Sequence, residues 1–271
     1  MVFDFHCHCF PDQLAPYAIA QLGENSPWSG LAPNTDGTVR SVLDQMHAHG
    51  VTQSLICNIA TNARQMPKVN EFACLLELEQ TELHALGSLH PDGKDLEGQI
   101  KMLKSVGIRG IKLQPDYIRT DFDNPSLYPI FELCIAYDMF LITHAGYDPG
   151  SHTHIHCKPG HILKVMENFP KLTLIAAHMG GIGCEKDVIE MLCGKQIYFD
   201  TSQSGQISER QHLLHKIMQK HDTSLLLYGS DCPWTDQACE QRFVLQAPIS
   251  EQAKEDIFWN NAARLMCLST T

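Results

Sequence analysis

The stretch Val2-Phe3-Asp4-Phe5-His6-Cys7-His8 is an apolar run that ends in two histidines. Because side chains alternate along an extended strand, we expect His6 and His8 to share one face with Asp4, opposite the two phenylalanines. Two neighbouring imidazoles on a rigid strand suit a divalent metal such as zinc. The alternative is a pair of structural histidines, since this spacing also arises by accident.

Short apolar runs of this kind alternate with longer amphipathic segments along the chain. The runs that read as strands are residues 2–6, 54–59, 83–89, 108–114, 140–144, 172–178, 196–200 and 225–231. The segments with helical spacing are 38–48, 68–79, 96–105, 127–137, 161–168, 186–192, 209–221 and 251–268. Eight strands, each followed by a helix, predict an α/β fold of the (β/α)₈ TIM-barrel type, as a single domain over residues 1–271. An open doubly wound sheet competes, but no glycine-rich turn follows the first run.

Composition limits the classes of partner. Of the 271 residues, 44% are hydrophobic, which is enough for a large core. There are 31 acidic against 20 basic residues, and this net charge of −11 argues against a nucleic acid or an anionic membrane as the main partner. No apolar run reaches membrane-spanning length, and no signal peptide is recognisable. Eleven scattered cysteines are typical of reduced thiols. We therefore expect a cytoplasmic protein with a small-molecule substrate, and a homo-oligomer stays open.

Charged or polar side chains end several of the apolar runs. His144, His178 and Asp231 each close one, and in a barrel the carboxyl ends of the strands meet at a single rim. A carboxylate at the end of so apolar a run as 225–231 needs a partner, which a metal ion would provide. Lys112 alternates with Ile111 and Leu113, so we expect it to point into the barrel. There it needs a carboxylate partner, a depressed pKa or covalent modification.

Two long connections would lie over the mouth of such a barrel. Residues 22–37 carry Trp28, and residues 146–160 carry His152, His154 and His156. These histidines are either metal or substrate ligands or ordinary solvated loop residues. Together with Gln114, Tyr117 and Trp234, Trp28 is a candidate substrate-binding residue. A zinc finger at residues 6–9 is the other interpretation of the first motif, but no second pair of ligands lies near it.

As a set, the strand-end motifs resemble the amidohydrolase superfamily, specifically its amidohydrolase-related (type 2) branch of metal-dependent hydrolases and decarboxylases. The resemblance spans nearly the whole chain in the expected order. Gln114 stands where near relatives more often have histidine. The matching stretches are Asp4-Phe5-His6-Cys7-His8, Gly110-Ile111-Lys112-Leu113-Gln114-Pro115, Thr143-His144-Ala145-Gly146, Ala177-His178-Met179-Gly180-Gly181, Tyr198-Phe199-Asp200-Thr201-Ser202, Gly229-Ser230-Asp231-Cys232-Pro233-Trp234 and Asn261-Ala262-Ala263-Arg264-Leu265.

The resemblance implies a divalent metal, most simply Zn²⁺, as one or two ions. By that resemblance the ligands of the deeper ion are His6, His8 and Asp231. Lys112 stands where some relatives carry a carboxylated lysine that bridges two ions, with His144 and His178 on the second. In relatives with one ion, His144 joins the first set and His178 contacts the substrate or polarises water.

The activity implied is hydrolysis of a small-molecule amide, ester or lactone by a metal-activated water. Asp231 would shuttle the proton, and His178 or the metal would stabilise the oxyanion. Non-oxidative decarboxylation of an aromatic or unsaturated acid is the alternative known in this branch. TatD-like nucleases would carry glutamate at the position of Lys112, and histidinol-phosphatase-type phosphoesterases would carry histidine two residues after Asp231. A non-catalytic metal-binding protein is the remaining alternative.

Overall fold

A computed structural model of the chain describes residues 1–25, 32–149, 154–206 and 208–268. Within these ranges the strands are all parallel and form two sheets, β1-β2-β3 and β4 to β9 in chain order. The strands are β1 (Phe3–Cys7), β2 (Gln53–Ile56), β3 (Leu83–Ala85), β4 (Gly87–Ser88), β5 (Gly110–Leu113), β6 (Phe140–Thr143), β7 (Leu174–Ala176), β8 (Tyr198–Asp200) and β9 (Leu226–Leu227).

Backbone hydrogen bonds join the two sheets at both edges. On one side, β3 and β4 are halves of one strand interrupted at Leu86, whose N–H donates to the Ile56 carbonyl at 2.9 Å. On the other side, the Phe5 N–H donates to the Tyr228 carbonyl, and the Asp231 N–H donates to the His6 carbonyl, both at 2.7 Å. The prediction that eight strands form a TIM-type barrel is thus confirmed.

Helices follow the strands as the sequence predicts. All eight predicted helical segments are confirmed, while α1, α5 and α10 were not predicted. The last predicted segment is continuous but contains a π turn at Asp256–Asn260. None of the helices in the described part of the chain is long and apolar enough to cross a membrane. The helices are α1 (Ala15–Asn25), α2 (Val39–Ala48), α3 (Met66–Glu79), α4 (Leu96–Ser105), α5 (Pro115–Ile118), α6 (Tyr128–Ala136), α7 (Pro159–Asn168), α8 (Glu185–Met191), α9 (Ser208–Lys220), α10 (Gln237–Gln246), α11 (Glu251–Glu255) and α12 (Asn261–Met266).

The lumen of the barrel is filled by apolar side chains in one layer and polar ones above. Phe3, Phe5 and Ile142 belong to the apolar layer. Lys112 is paired with Ile142 across the β5–β6 ladder, and paired residues of parallel strands share a face. The prediction that Lys112 points into the barrel is therefore confirmed. Ile111, its chain neighbour, packs on the helix side.

The predicted alternation along β1 is wrong because the strand contains a bulge. Asp4 pairs with Ser54 and Cys7 with Ile56, so three residue steps on β1 oppose two on β2. Phe3 and Phe5 lie in the luminal layer, and Asp4 instead bonds Gln237 of α10 on the helix side. The extra residue turns the following side chain, His6, into the lumen.

Close backbone packing holds the turn that follows β6. Gly146 has a φ of +83°, and a Cβ placed there would lie 2.1 Å from the backbone nitrogen of Ile182.

We expect Gly146→Ala to lower the free energy of unfolding by about 1–3 kcal/mol, because it adds both a clash and a strained backbone. Urea denaturation measures this change. Gly160→Ala is the matched control, since Gly160 lies in α7 and a Cβ placed on it would meet nothing within 4 Å. Equal stability of the two variants would contradict the expectation.

Candidate metal centre

The carboxyl ends of six strands bring titratable side chains into one buried cluster at the barrel rim. All the members except His8, which is partly exposed, are at most 4% exposed. His144, His178 and Asp231 come from the turns that follow β6, β7 and β9. The structure thus brings together the residues that the sequence predicted as ligands. The cluster consists of His6, His8, Lys112, His144, His178, Asp200 and Asp231.

His6, His8 and Asp231 form one candidate ligand group, with ligand atoms that all lie within 4.8 Å of one another. The Asp231 Oδ1 lies 3.0 Å from His8 Nε2 and 3.4 Å from His6 Nε2. His6 Nε2 is also 3.0 Å from the Lys112 Nζ. Three donor atoms of the types that bind zinc therefore converge on one small volume.

Hydrogen bonds on the far side of each ring set which nitrogen faces this volume. His8 Nδ1 lies 2.9 Å from the Cys57 carbonyl, which can only accept, so Nδ1 carries the proton. Burial lowers the pKa of His8, which keeps the ring neutral and leaves a lone pair on Nε2. His6 Nδ1 is held in the same manner at 2.9 Å from Asp200 Oδ2. This carboxylate–histidine arrangement is the one that orients metal ligands.

The donor set fits a divalent cation. Burial acts to raise the pKa of Asp231, but His8 and His6 beside it hold that pKa below its usual range, so the carboxylate is ionised. The 3.0 Å between His8 Nε2 and Asp231 Oδ1 is also close to the separation of two ligand atoms on one tetrahedral ion. A divalent ion held by His6, His8 and Asp231 would therefore meet donors that are already close together.

A second pair of histidines lies beside the first group. His178 Nε2 is 3.0 Å from His144 Nδ1, and His178 Nδ1 is 2.7 Å from the Ser202 hydroxyl. Burial lowers the pKa of His178 to about 3 and that of His144 well below its usual value, so both rings are neutral. Buried His144 Nε2 has no hydrogen-bond partner among the described residues. This orphaned nitrogen is the kind of atom a second ion would satisfy.

The backbone is strained at two of these positions. His178 has a φ of +57° and Asp231 a φ of +76°, the left-handed region that costs non-glycine residues about 1–3 kcal/mol each. Asp4 holds the second of these turns, because it accepts hydrogen bonds from the Ser230 N–H at 2.8 Å and the Ser230 hydroxyl at 2.6 Å. Gln203 donates to Asp231 Oδ2. Such strain, held by surrounding contacts, is typical of functional sites.

Asp200 and Ser202 are parts of the site that the sequence analysis did not single out as site residues. Asp200 Oδ2 orients His6, while Oδ1 accepts from the His178 N–H at 3.0 Å and the Ser202 N–H at 3.2 Å. One carboxylate therefore links both histidine groups. The signal was present, because Asp200 ends the seventh predicted strand just as Asp231 ends the eighth.

The candidate substrate-binding residues Gln114, Tyr117 and Trp234 differ in their burial and contacts. Gln114 is buried and donates to Asp148 Oδ2 at 2.8 Å. Tyr117 is half-buried in α5, and burial, with the charges of Asp148 and Asp231, raises its pKa. The Trp234 N–H donates to the Asp231 carbonyl at 2.8 Å.

Two of the residues predicted on the long connections, Trp28 and His152, lie outside the described residues. His154 and His156 contact Asp121 and do not join the buried cluster.

Asp200→Asn tests the orientation of the metal ligands. We expect it to weaken metal binding about 10–100-fold with the fold retained, because an amide nitrogen facing His6 Nδ1 no longer holds the required tautomer. Competition with a chromogenic chelator measures the affinity. The control is Asp44→Asn, at an exposed helix position where the side chain pairs with Arg40. Unchanged metal affinity in Asp200→Asn would contradict the role.

Solved structures of similar shape come from enzymes and from proteins of unknown activity. A dihydroxybenzoic acid decarboxylase from Polaromonas sp. JS666, with bound manganese and the inhibitor 2-nitroresorcinol, has a TM-score of 0.73 at 14% identity, over 100% of this chain and 98% of that one. A probable 2-pyrone-4,6-dicarboxylic acid hydrolase from Acinetobacter baumannii with citric acid bound has a TM-score of 0.69 at 16% identity, over 98% and 99%. An uncharacterised TIM-barrel protein from Bordetella bronchiseptica has a TM-score of 0.70 at 19% identity, over 98% of both chains. At these identities the likeness shows the TIM-barrel fold.

Sequence comparisons give the family. No curated protein sequence matches the chain significantly. A family model described as Amidohydrolase matches residues 85–266, about two thirds of the chain, including the ends of β5 to β9. The resemblance seen in the strand-end motifs is thereby confirmed: the chain belongs to the amidohydrolase family, in its amidohydrolase-related (type 2) branch.

Proposed function

We propose that this chain is a metal-dependent hydrolase that uses water to cleave a small-molecule amide, ester or lactone. The observation that carries the proposal is the donor set at the rim, in which His8 Nε2 and His6 Nε2 lie 3.0 and 3.4 Å from the ionised Asp231. Family membership supports it, because the chemistry of a fold family resides in such a site and not in the barrel itself.

The metal we propose is Zn²⁺, held by His6, His8 and Asp231. Two imidazoles and one carboxylate are a common zinc ligand set, and they leave positions free for water and substrate. The bound ion would supply Lewis acidity, which lowers the pKa of water towards about 7. Manganese in the Polaromonas decarboxylase makes Mn²⁺ the rival ion.

The roles of the side chains follow from their positions. Asp231 would accept the proton of the attacking water and return it to the leaving group, since its carboxylate lies at the centre of the donor set. Burial lowers the pKa of His178 to about 3, so the ring is neutral at physiological pH. In a site with one ion, His178 would donate a hydrogen bond to the developing oxyanion, and in a site with two ions the metal would stabilise it. Gln114, Tyr117 and Trp234 would contact the rest of the substrate.

We further propose that Lys112 is carboxylated and that the site holds two ions. An unmodified ammonium 3.0 Å from His6 Nε2 competes for the lone pair that the metal needs. Addition of carbon dioxide to the deprotonated Nζ, with loss of a proton from the nitrogen, would turn this 1%-exposed side chain into an anionic carbamate ligand. His144 and His178 would then hold the second ion.

We expect Lys112→Ala to lower the bound metal from two equivalents towards one, as counted by elemental mass spectrometry. Lys104→Ala, on the outer helix α4, is the control; equal metal content in both variants would favour a single ion.

Decarboxylation of an aromatic or unsaturated acid is the second candidate function. It is favoured by the likeness in shape to the dihydroxybenzoic acid decarboxylase. In that reaction Asp231 or His178 would protonate the carbon that loses carbon dioxide. The same metal ligands serve both reactions, so the loops over the mouth decide between them.

A metal-exchange assay on a substrate panel tests the two functions together. Chelation should abolish turnover, and Zn²⁺ or Mn²⁺ should restore it, because the nucleophile or the substrate depends on the ion. Release of an acid from amides, esters or lactones supports the hydrolase, and release of carbon dioxide from aromatic acids supports the second candidate. Asp231→Asn is the matched inactive variant, with kcat expected to fall about 10²–10⁴-fold. Turnover that survives chelation and this substitution would overturn both.

A reducing cytoplasm is the compartment we propose. All eleven cysteines are free thiols, and Cys7, Cys57 and Cys134 are buried as core residues. Thiols used in this way are typical of intracellular proteins.

A further inference from the structure

We propose that Asp121, His154 and His156 form a second metal site, separate from the barrel centre, that takes a borderline divalent cation of the Zn²⁺ class. We call these three residues the loop site. It shares no residue with the buried cluster at the barrel rim, and the proposed activity does not require it.

The geometry of the loop site points to a shared ligand. His154 Nε2 and His156 Nδ1 each lie 2.8 Å from the same oxygen, Asp121 Oδ1. The three ligand atoms all lie within 4.8 Å of one another. The two rings meet edge to face, with centroids 4.5 Å apart. Two different ring nitrogens of a His-x-His pair therefore converge on one carboxylate oxygen.

The backbone holds two of the three residues in place. The Phe122 N–H, next to Asp121, donates to the His156 carbonyl at 2.9 Å. His161 Nδ1, in α7, lies 3.0 Å from the same carbonyl. These contacts fix the segment after α5 against the segment that leads into α7. The site is therefore partly organised before any ligand binds, which lowers the entropy cost of binding.

The donor types select the cation. Two imidazoles and a carboxylate suit Zn²⁺, Co²⁺ or Ni²⁺, whereas Mg²⁺ and Ca²⁺ require oxygen ligands. Bonds of about 2.0 Å at a tetrahedral centre place ligand atoms about 3.3 Å apart, so the 2.8 Å contacts must open by about half an ångström. His154 and Asp121 are 45% and 40% exposed, which leaves them room to rotate and lets water complete the coordination.

A bound cation would clamp one mouth loop to another. Asp121 lies on the segment that follows β5, the strand that carries Lys112. His156 is next to Cys157, whose carbonyl accepts a hydrogen bond from the Gly146 N–H at 2.8 Å. Gly146 lies two residues after His144. The loop site thus joins the chain segments that follow β5 and β6, which carry Lys112 and His144.

Zinc counting on the full chain tests the loop site. We would equilibrate the wild-type protein and its variants with buffered micromolar free Zn²⁺ and count bound zinc by elemental mass spectrometry. Asp121→Asn, and separately the pair His154→Ala with His156→Ala, should lose one equivalent relative to wild type. The second-site affinity should fall more than about tenfold, because a direct ligand is removed. Zn²⁺ should also slow hydrogen exchange of the amides of residues 154–157 in wild type only.

His47→Gln is the matched control. His47 Nε2 lies at the same 2.8 Å from a surface carboxylate oxygen, Glu82 Oε1. Among the described residues, no second histidine contacts that carboxylate. Its zinc count should equal that of wild type. If Asp121→Asn retains the wild-type count and exchange pattern, the cluster is a hydrogen-bonded pair of histidines only, and the proposal fails. Should the double variant not fold, Asp121→Asn alone decides, since it preserves the shape of the side chain.

Discussion

The site depends on the seam where the first strand meets the last. The bulge in β1 turns His6 into the lumen, and the His6 carbonyl accepts the Asp231 N–H at 2.7 Å across the seam. Asp4, on the helix side just before the bulge, accepts two hydrogen bonds from Ser230. The bulge therefore places a histidine opposite a carboxylate, and the side chain before it supports the strained turn that carries the carboxylate.

Burial of polar groups is what makes this arrangement specific. Isolated in an apolar lumen, an ionised Asp231, a lysine and four imidazoles would each cost several kcal/mol in lost hydration. The structure offsets this cost by hydrogen bonds on the outer side of three of these rings, to the Cys57 carbonyl, Asp200 and Ser202. On the inner side, Asp231 Oδ1 lies within 3.4 Å of both His6 Nε2 and His8 Nε2. A divalent cation is the ligand that this set of donors suits.

Much of the fold and most of the candidate site could be predicted from the sequence. Strand and helix periods are local signals, so the eight βα units were found, and strand-end residues such as His144 and Asp231 followed from topology. The bulge in β1 could not be predicted, because its cause is pairing with β2 and β9 and the local alternation of Phe3 to His6 gives no sign of it. Asp200 was passed over as a site residue because its role comes from contacts with His6 and His178, which only the folded barrel brings near. The contact between Asp121 and His156 likewise joins two loops. Hydrophobic periodicity predicts strands and helices and does not predict which loops come together.

The first and last strands meet at the seam, and this has a consequence for biosynthesis. His6 and His8 leave the ribosome long before Asp231, which follows them by more than two hundred residues. The three-ligand pocket cannot exist in a nascent or truncated polypeptide, so an ion that needs all three is captured only by a finished barrel. Because a ligand that binds only the native state stabilises it by mass action, about 4 kcal/mol at a thousand times Kd, metal supply would govern how much completed protein survives in the cell.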